Sequence, residues 1–338
     1  MNPIKARKIK DTDFLTATMR IRSQEKYLMD KERAGRLIDA RSDDEAIKVL
    51  GECGYGEMQA LSNDELDRVL RGFREDLYAQ LQEMLPVPEL LDVFRARYDY
   101  HNVKALLKSP GGEEDGKGLL VSSGRVPPAE LLRAFKELDF KELPPPLPEA
   151  VPEARELLAR TGDPQKADFL LDLACLAEML SLARKTKSAF LIAYVRLYID
   201  IQNLRALVRA RRIGKDAQFL RPALAPGGRV GAEGILVCLQ EGRPIAEAYA
   251  QSDLSGAAEE GEKAARGDAG LTEFEKICDD LLLEKAEKTR YVPFGEQPVL
   301  AFLLFREAEM TMIRTVVSGR MAGVPAGDLR EKLRSRYA

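Results

Sequence analysis

Apolar residues recur at three- and four-residue spacing through most of the chain, and the alternation typical of β-strands is nearly absent. Residues 64–84 show this pattern clearly, because their apolar side chains form one stripe along a helix. Ser62 or Asn63 offers the N-cap of this helix. The same pattern predicts helices over residues 88–107, 163–184, 188–212, 271–288 and 297–317. The sequence therefore predicts an all-α protein.

Two breaks in the helical pattern divide the chain into three blocks. The first is the proline-rich run 144–148, whose fixed φ angles and missing amide donors predict an extended connector. The second is the stretch 251–270, rich in Gly, Ala, Ser and acidic residues, which predicts a flexible surface segment. We therefore expect domains over residues 1–143, 144–250 and 251–338, the last containing the flexible insertion and the third helical block.

Length and composition place the chain among folded proteins. It has 338 residues, of which 45% are hydrophobic and 32% charged, which is enough for two or three hydrophobic cores. The 52 basic residues almost cancel the 55 acidic ones, so the positive field expected of a nucleic-acid-binding protein is missing. Four widely spaced cysteines and a single histidine argue against a zinc site or a disulfide framework and favour a reducing intracellular compartment.

The hydropathy of the sequence does not indicate a membrane segment. The basic stretch 1–10 has no apolar run behind it, so we expect neither a signal peptide nor an anchor there. No apolar run approaches the roughly 20 residues that a membrane helix requires. We therefore expect no direct insertion into a membrane.

A short motif of an acid, an asparagine, an apolar residue and a base recurs in the blocks, and the third copy is weaker because a methionine replaces the asparagine. The copies are Asp99-Tyr-His-Asn102-Val-Lys104, Asp200-Ile-Gln-Asn203-Leu-Arg205 and Glu309-Met-Thr-Met312-Ile-Arg314. A second echo follows each copy, namely Gly124-Arg-Val126, Gly228-Arg-Val230 and Gly323-Val-Pro325. The chain therefore reads as three copies of one helical unit.

The spacing within the motif places Asp99, Asn102 and Leu106 on one partly buried helix face. A buried carboxylate and a buried amide need hydrogen-bond partners, and the unpaired amides at neighbouring helix termini are natural ones, so we predict a polar lock between helices. A ligand-binding role for the same residues stays open as the alternative. The predicted lock residues are Asp99, Asn102, Lys104, Asp200, Asn203, Arg205, Glu309 and Arg314. The motif contains no group placed for catalysis.

Other motifs give weaker signals. The stretch 111–118 nearly matches a phosphate-binding loop, but glycine stands where Ser or Thr would hold magnesium and three acids occupy the loop. Asp279, Asp280 and Glu284 suggest magnesium-binding acids on a helix, with a solvated helix face as the alternative. His101 has no companion ligand for a metal. We expect no metal and no cofactor.

The densest basic run after the N-terminus is a candidate contact for an acidic partner. Its residues are Arg209, Arg211 and Arg212, with Lys215 close behind. The alternative is that these cations simply stabilise the C-terminal end of a helix before Gly214.

Several segments along the chain together carry a resemblance to a known family. They are residues 98–107, 198–208, the Phe294-Gly295-Glu296-Gln297-Pro298 turn, Ile313-Arg314-Thr315 with Gly319 and Gly323-Val-Pro325, residues 20–28, and Tyr55-Gly56. In their order and spacing these segments resemble the C-subunit family, also called the d-subunit family, of rotary V-type and A-type ATPases and ATP synthases. Met312 and the insertion 251–270 depart from the family pattern.

The resemblance implies a funnel-like arrangement of three similar helical domains about a pseudo-threefold axis. It also implies a non-catalytic subunit that links the central stalk to the membrane proteolipid ring and transmits torque for ion transport. Its expected location is cytoplasmic, peripheral on the membrane through the ATPase complex. The choice between protons and sodium, and between ATP synthesis and hydrolysis, stays open. The alternative is a magnesium-dependent helical enzyme or an unrelated helical scaffold.

Overall fold

The protein is described here by a computed structural model, which describes residues 10–56, 58–109 and 118–337. Within these ranges the chain forms α-helices and short 3-10 segments and no strand, so the predicted all-α fold is confirmed. The α-helices are α1 (Leu15–Gln24), α2 (Lys31–Asp39), α3 (Asp43–Glu52), α4 (Asn63–Met84), α5 (Asp92–Lys108), α6 (Pro128–Glu137), α7 (Leu147–Thr161), α8 (Pro164–Thr186), α9 (Ala189–Arg212), α10 (Ala217–Leu220), α11 (Ala232–Gln240), α12 (Ile245–Tyr249), α13 (Ser255–Arg266), α14 (Leu271–Glu287), α15 (Glu296–Met321) and α16 (Ala326–Glu331).

All six helices expected from the apolar pattern are present, as α4, α5, α8, α9, α14 and α15. Capping residues explain where several of them begin. The Ser62 hydroxyl accepts the Glu65 amide at 3.2 Å at the start of α4. The Ser188 hydroxyl does the same for the Leu191 amide at 3.0 Å at the start of α9. Each cap satisfies one backbone donor that the first helical turn leaves unpaired.

The prediction of an extended connector at residues 144–148 is wrong. Leu147 and Pro148 already belong to α7, and the residues just before them form a turn with a cis peptide bond between Pro145 and Pro146. Pro148 lies in the first turn of α7, where its missing amide hydrogen removes no helical hydrogen bond.

The flexible segment expected at residues 251–270 is also wrong, because helix α13 occupies Ser255–Arg266. Its buried residues are all small, and a Cβ added at Gly261 would lie 2.7 Å from Val208 of α9 and 3.1 Å from the Phe274 ring. Glycine and alanine therefore let α13 approach its neighbours closely, and burial of this small-residue face stabilises the helix despite the low propensity of glycine.

The chain divides into two compact units, which are Met1–Pro88 with Asp279–Ala338, and Glu89–Cys278. In the first unit, α2, α3, α4, α15 and α16 share one apolar core that contains Leu37, Leu50, Leu66, Ile313 and Tyr337. In the second unit, α8 packs against α5, α7 and α9, and α13 packs against α9 and α12. The division into three domains stays a prediction.

Within residues 10–56, 58–109 and 118–337, no helix has both the length and the apolar character needed to cross a bilayer.

Candidate functional site

The first motif copy holds a loop against helix α5. Asp99 is fully buried, and its Oδ1 accepts the backbone amides of Arg125 at 2.8 Å and Val126 at 3.0 Å. The Asn102 amide donates to the Val121 carbonyl at 2.8 Å, and its oxygen accepts the Val121 amide at 2.8 Å. One acid and one asparagine, a single helical turn apart, therefore satisfy the backbone of the loop that follows. We call this arrangement the loop lock.

The second copy repeats the same geometry on helix α9. Asp200 accepts the Arg229 amide at 2.9 Å and the Val230 amide at 3.0 Å. Asn203 donates to the carbonyl of Ala225 at 2.9 Å and accepts its amide at 2.8 Å. The Gly-Arg-Val echo in the sequence is thus the part of the loop that the acid binds, in both copies.

The echo requires glycine because the carboxylate approaches the backbone too closely for any side chain. A Cβ on Gly124 would overlap Oδ1 of Asp99, and a Cβ on Gly228 would overlap Oδ1 of Asp200. Neither glycine has a positive φ, so the need is for space and not for an unusual backbone conformation.

The third copy keeps the buried acid but not the loop lock. Glu309 of α15 accepts the Met29 amide at 2.7 Å, the Tyr55 hydroxyl at 2.6 Å and the Arg306 guanidinium at 2.6 Å. Met312, at the asparagine position, lies in the apolar core of the first unit. Because methionine cannot pair with a backbone amide and carbonyl, this copy fixes α15 to segments near the N-terminus instead.

Burial sets the electrostatics of these acids. Desolvation raises the pKa of Asp99, although the Arg125 charge and the loop amides oppose the shift. Desolvation also raises the pKa of Asp200 and of Glu309, against the amides bound to Asp200 and the Arg306 charge beside Glu309. Each acid accepts hydrogen bonds from several donors that fix its orientation, which is the arrangement expected of a structural group.

Sequence reasoning missed two arginines that complete these clusters. Arg125 donates from Nε to Asp99 at 2.7 Å and reaches Glu178 of α8 with its NH1 at 2.6 Å, so it joins two helices through buried charges. Arg306 donates to the Cys53 carbonyl at 3.2 Å beside Glu309. The Gly-Arg-Val echo contains Arg125, but nothing in the sequence indicated that Glu178, on another helix, would be the buried partner of this arginine.

The bases of the three motif copies were expected to belong to the lock, but the structure does not bring them to the loops. Each forms an ion pair with an acid on a long helix that lies outside its own copy. These pairs join α5 to α8, α9 to α14, and α15 to α4. The pairs are Lys104–Asp172 at 2.7 Å, Arg205–Glu275 at 2.6 Å and Arg314–Asp67 at 2.6 Å.

The basic run at the end of α9 is largely engaged within the chain. Arg211 pairs with Glu262 at 2.8 Å and donates to the Arg243 carbonyl at 2.6 Å. Arg212 donates to the Ala264 carbonyl at 2.5 Å. Arg209 pairs with Glu275 at 2.7 Å, but its side chain is 61% exposed. Of the three predicted interface residues, Arg209 and Arg212 are therefore exposed, whereas Arg211 is half-buried.

Two of the three acids considered as magnesium ligands, Asp279 and Asp280, bind the C-terminal segment instead. Asp279 pairs with Arg334, and its Oδ2 lies 2.8 Å from the arginine Nε. Asp280 accepts the Ser335 amide at 2.9 Å. Among the residues that the structure describes, His, Cys, Asp and Glu form no group of three suited to a metal ion. The loop that resembles a phosphate-binding motif falls on residues 111–118, and positions 111–117 lie outside the described residues.

Comparison with known proteins gives the family. The profile of the ATP synthase (C/AC39) subunit family matches residues 17–332, which is nearly the whole chain. Similar relatives are the C subunit of the A-type ATP synthase of Methanocaldococcus jannaschii, 25% identical over 93% of this chain and 84% of the relative, and the C subunit of the V-type sodium ATPase of Enterococcus hirae, 24% identical over 94% of this chain and 97% of the relative. The C subunit of the V-type ATP synthase of Thermus thermophilus is 25% identical over 95% of this chain and 98% of the relative. Since the family profile covers the motifs, the loops and the helices that they join, the chain belongs to the ATP synthase (C/AC39) subunit family.

Proposed function

We propose that this C subunit of a V/A-type ATP synthase is a non-catalytic coupling part, which links the central stalk to the membrane proteolipid ring. It would transmit torque between the two, so that ATP turnover in the catalytic head is coupled to ion movement. It would reside on the cytoplasmic side of the membrane, held there through the complex. The observation that carries the proposal is the loop lock, built twice from the same residue types in a member of this family.

A torque-transmitting part must resist deformation, and the buried acids provide that resistance. Asp99 and Asp200 each hold two backbone amides of a loop, and the asparagines hold a further amide and carbonyl. Breaking one of these bonds leaves a buried polar group unsatisfied, which costs about 1–3 kcal/mol. The loops and helices therefore move as one body under load.

The ion pairs of the motif bases support a pseudo-threefold arrangement of the three copies. In chain order, each copy contains a long helix followed by a motif helix, namely α4 with α5, α8 with α9, and α14 with α15. The first base reaches the long helix of the second copy, and the second base reaches that of the third. The base of the third copy pairs with the long helix of the first. We propose that the copies surround a central socket for the stalk.

The test is a reconstitution in which ATP hydrolysis and ion movement are measured separately. Membrane vesicles that contain the complex are depleted of this subunit and then supplied with the purified chain. We expect depleted vesicles to hydrolyse ATP without building an ion gradient, because the stalk then turns without driving the ring. Adding the chain restores the gradient without adding catalytic sites.

A matched pair of variants connects this test to the structure. Gly228→Ala disrupts a loop lock, whereas Gly234→Ala changes the same residue type six positions away with nothing within 4 Å of the new methyl group. We expect the first variant to restore fewer transported ions per ATP and the second to match the wild type. Ion transport that stays coupled to ATP hydrolysis without this chain would contradict the proposed role.

A further inference from the structure

A groove of about 480 Å³ lies within the second unit, bordered by helices α5, α8 and α9. It is distinct from the loop locks, because Asp99, Asn102, Asp200 and Asn203 do not line it. A volume of this size falls within the 300–1,000 Å³ range typical of small-molecule sites. The groove therefore has room for a small molecule and not for a folded protein domain.

Two walls of the groove come from corresponding faces of the first two motif helices. On α5 these are Arg97, His101 and Lys104, which recur at the four- and three-residue spacing of one helix face. The corresponding positions on α9 are Tyr198, Gln202 and Arg205. The repeated motif thus places two corresponding basic residues, Lys104 and Arg205, in the lining of the same groove.

The basic side chains of the lining outnumber the acids that pair with them. Four basic side chains line the groove, of which Lys104 pairs with Asp172 at 2.7 Å. Arg205 and Arg209 share the single carboxylate of Glu275. The basic side chains are Arg97, Lys104, Arg205 and Arg209. Guanidinium groups match the geometry of phosphate through two parallel hydrogen bonds, and an ammonium group adds a compact positive charge. This lining is suited to an anion.

Aromatic side chains give the groove an apolar wall as well. Phe169 and Phe219 both line it and pack edge to face, with ring centroids 6.0 Å apart. The Tyr198 ring lies in the same groove, with the Arg97 guanidinium 6.0 Å from its centroid. A ligand that satisfied both sets of groups would carry a negative charge on an aromatic or apolar body.

We propose that this groove binds an organic phosphate, with the phosphate between Lys104 and Arg205 and the body against the Phe169 and Phe219 rings. A soluble nucleotide and the headgroup of an anionic phospholipid both present this phosphate ester. All residues that line the groove belong to the second unit, and binding there does not require the coupling role proposed above.

The test is equilibrium binding to the purified full-length chain. Calorimetric titrations use ADP and inorganic pyrophosphate without magnesium, and co-sedimentation uses vesicles of phosphatidylglycerol. Lys104→Glu places a negative charge in the groove, and Lys108→Glu is the matched control. Lys108 lies one turn further along the same helix and pairs with Asp168 of α8, but it does not line the groove. Ala206→Phe fills the groove without changing its charge.

We expect saturable binding that Lys104→Glu and Ala206→Phe each weaken by at least about tenfold, as loss of one charge-assisted hydrogen bond would do. Lys108→Glu is expected to change the affinity by less than about threefold. This pattern with ADP assigns the site to a soluble phosphate ester, and the same pattern with vesicles alone assigns it to a lipid headgroup. Absence of saturable binding to every probe, or equal weakening by Lys104→Glu and Lys108→Glu, would overturn the proposal. ADP binding no tighter than pyrophosphate would overturn the role of the aromatic wall.

Discussion

The substitution Gly228→Ala tests the loop lock at its tightest point. A methyl group at this position would overlap Oδ1 of Asp200 and also crowd the Ile199 side chain. Asp200 is fixed on α9, a long buried helix, so the loop is the part that must move. Movement of the loop lengthens the two hydrogen bonds from the amides of Arg229 and Val230, now 2.9 and 3.0 Å long.

The magnitude follows from those two bonds. A hydrogen bond to a charged group contributes about 1.5–3 kcal/mol to stability, so the loss of two gives on the order of 3 kcal/mol or more. For a folded unit of about 150–250 residues, the size class of the second unit, a loss of about 3 kcal/mol lowers Tm by roughly 6–12 °C. The φ of Gly228 is not in the left-handed region, so steric overlap alone accounts for the effect.

Thermal and urea unfolding followed by far-UV circular dichroism measure this loss, and Gly234→Ala is the control. Gly234 lies exposed within α11 with nothing within 4 Å of an added Cβ. Alanine in a helix interior is favoured over glycine by about 0.5–1 kcal/mol, so the control is expected to be slightly stabilised. If Gly228→Ala unfolds within about 0.5 kcal/mol of the wild type, the close packing of carboxylate and backbone does not exist in solution.

Further predictions concern the other polar and thiol groups. Asn203→Ala removes both hydrogen bonds to the Ala225 backbone and is expected to lower the free energy of unfolding in urea by about 2–4 kcal/mol. The neighbouring control Gln202→Ala is expected to change that free energy by less than about 0.5 kcal/mol. Equal losses of stability in the two variants would contradict the loop lock. Because burial raises the pKa of Asp200, the native state binds that proton more tightly than the unfolded chain, and its contribution to stability falls as pH rises. The Tm advantage of the wild type over Asp200→Asn should therefore grow as pH falls from about 7 towards 4, and a shrinking advantage would refute burial as the dominant cause. All four cysteines are buried, and burial raises the pKa of Cys53 and of Cys175 to about 12, so a thiol reagent is expected to label the chain only as it unfolds; rapid labelling of the native chain would contradict this burial.

Much of the fold follows from local sequence signals. The long helices were predictable because their apolar spacing persists over several turns and because residues such as Ser62 cap them. Burial of the acid and the asparagine follows from their position on an apolar helix face, and a buried polar pair must find hydrogen-bond partners. The partners themselves differ from the expectation, because they are backbone groups of a following loop and not the termini of neighbouring helices. The glycine of the Gly-Arg-Val echo became interpretable only with the carboxylate position known.

The remaining features depend on contacts between distant segments. The composition of helix α13 predicts a flexible stretch. Its small residues favour a packed helix only because the helix lies close to Val208 and Phe274, which belong to other helices. Glu178 lies 53 residues from Arg125, so nothing local indicates that the two form a buried ion pair. The groove formed by equivalent faces of α5 and α9 likewise depends on how two repeated helices pack, which periodicity alone does not give.

The central claim is that this chain couples a stalk to a membrane ring, and its companions in the native membrane test that claim most directly. A tagged chain is purified from gently solubilised native membranes, and the proteins that accompany it are quantified by mass spectrometry. The account predicts stoichiometric recovery of the proteolipid ring and the central-stalk subunits. Recovery of the chain alone, or with unrelated proteins, would contradict it.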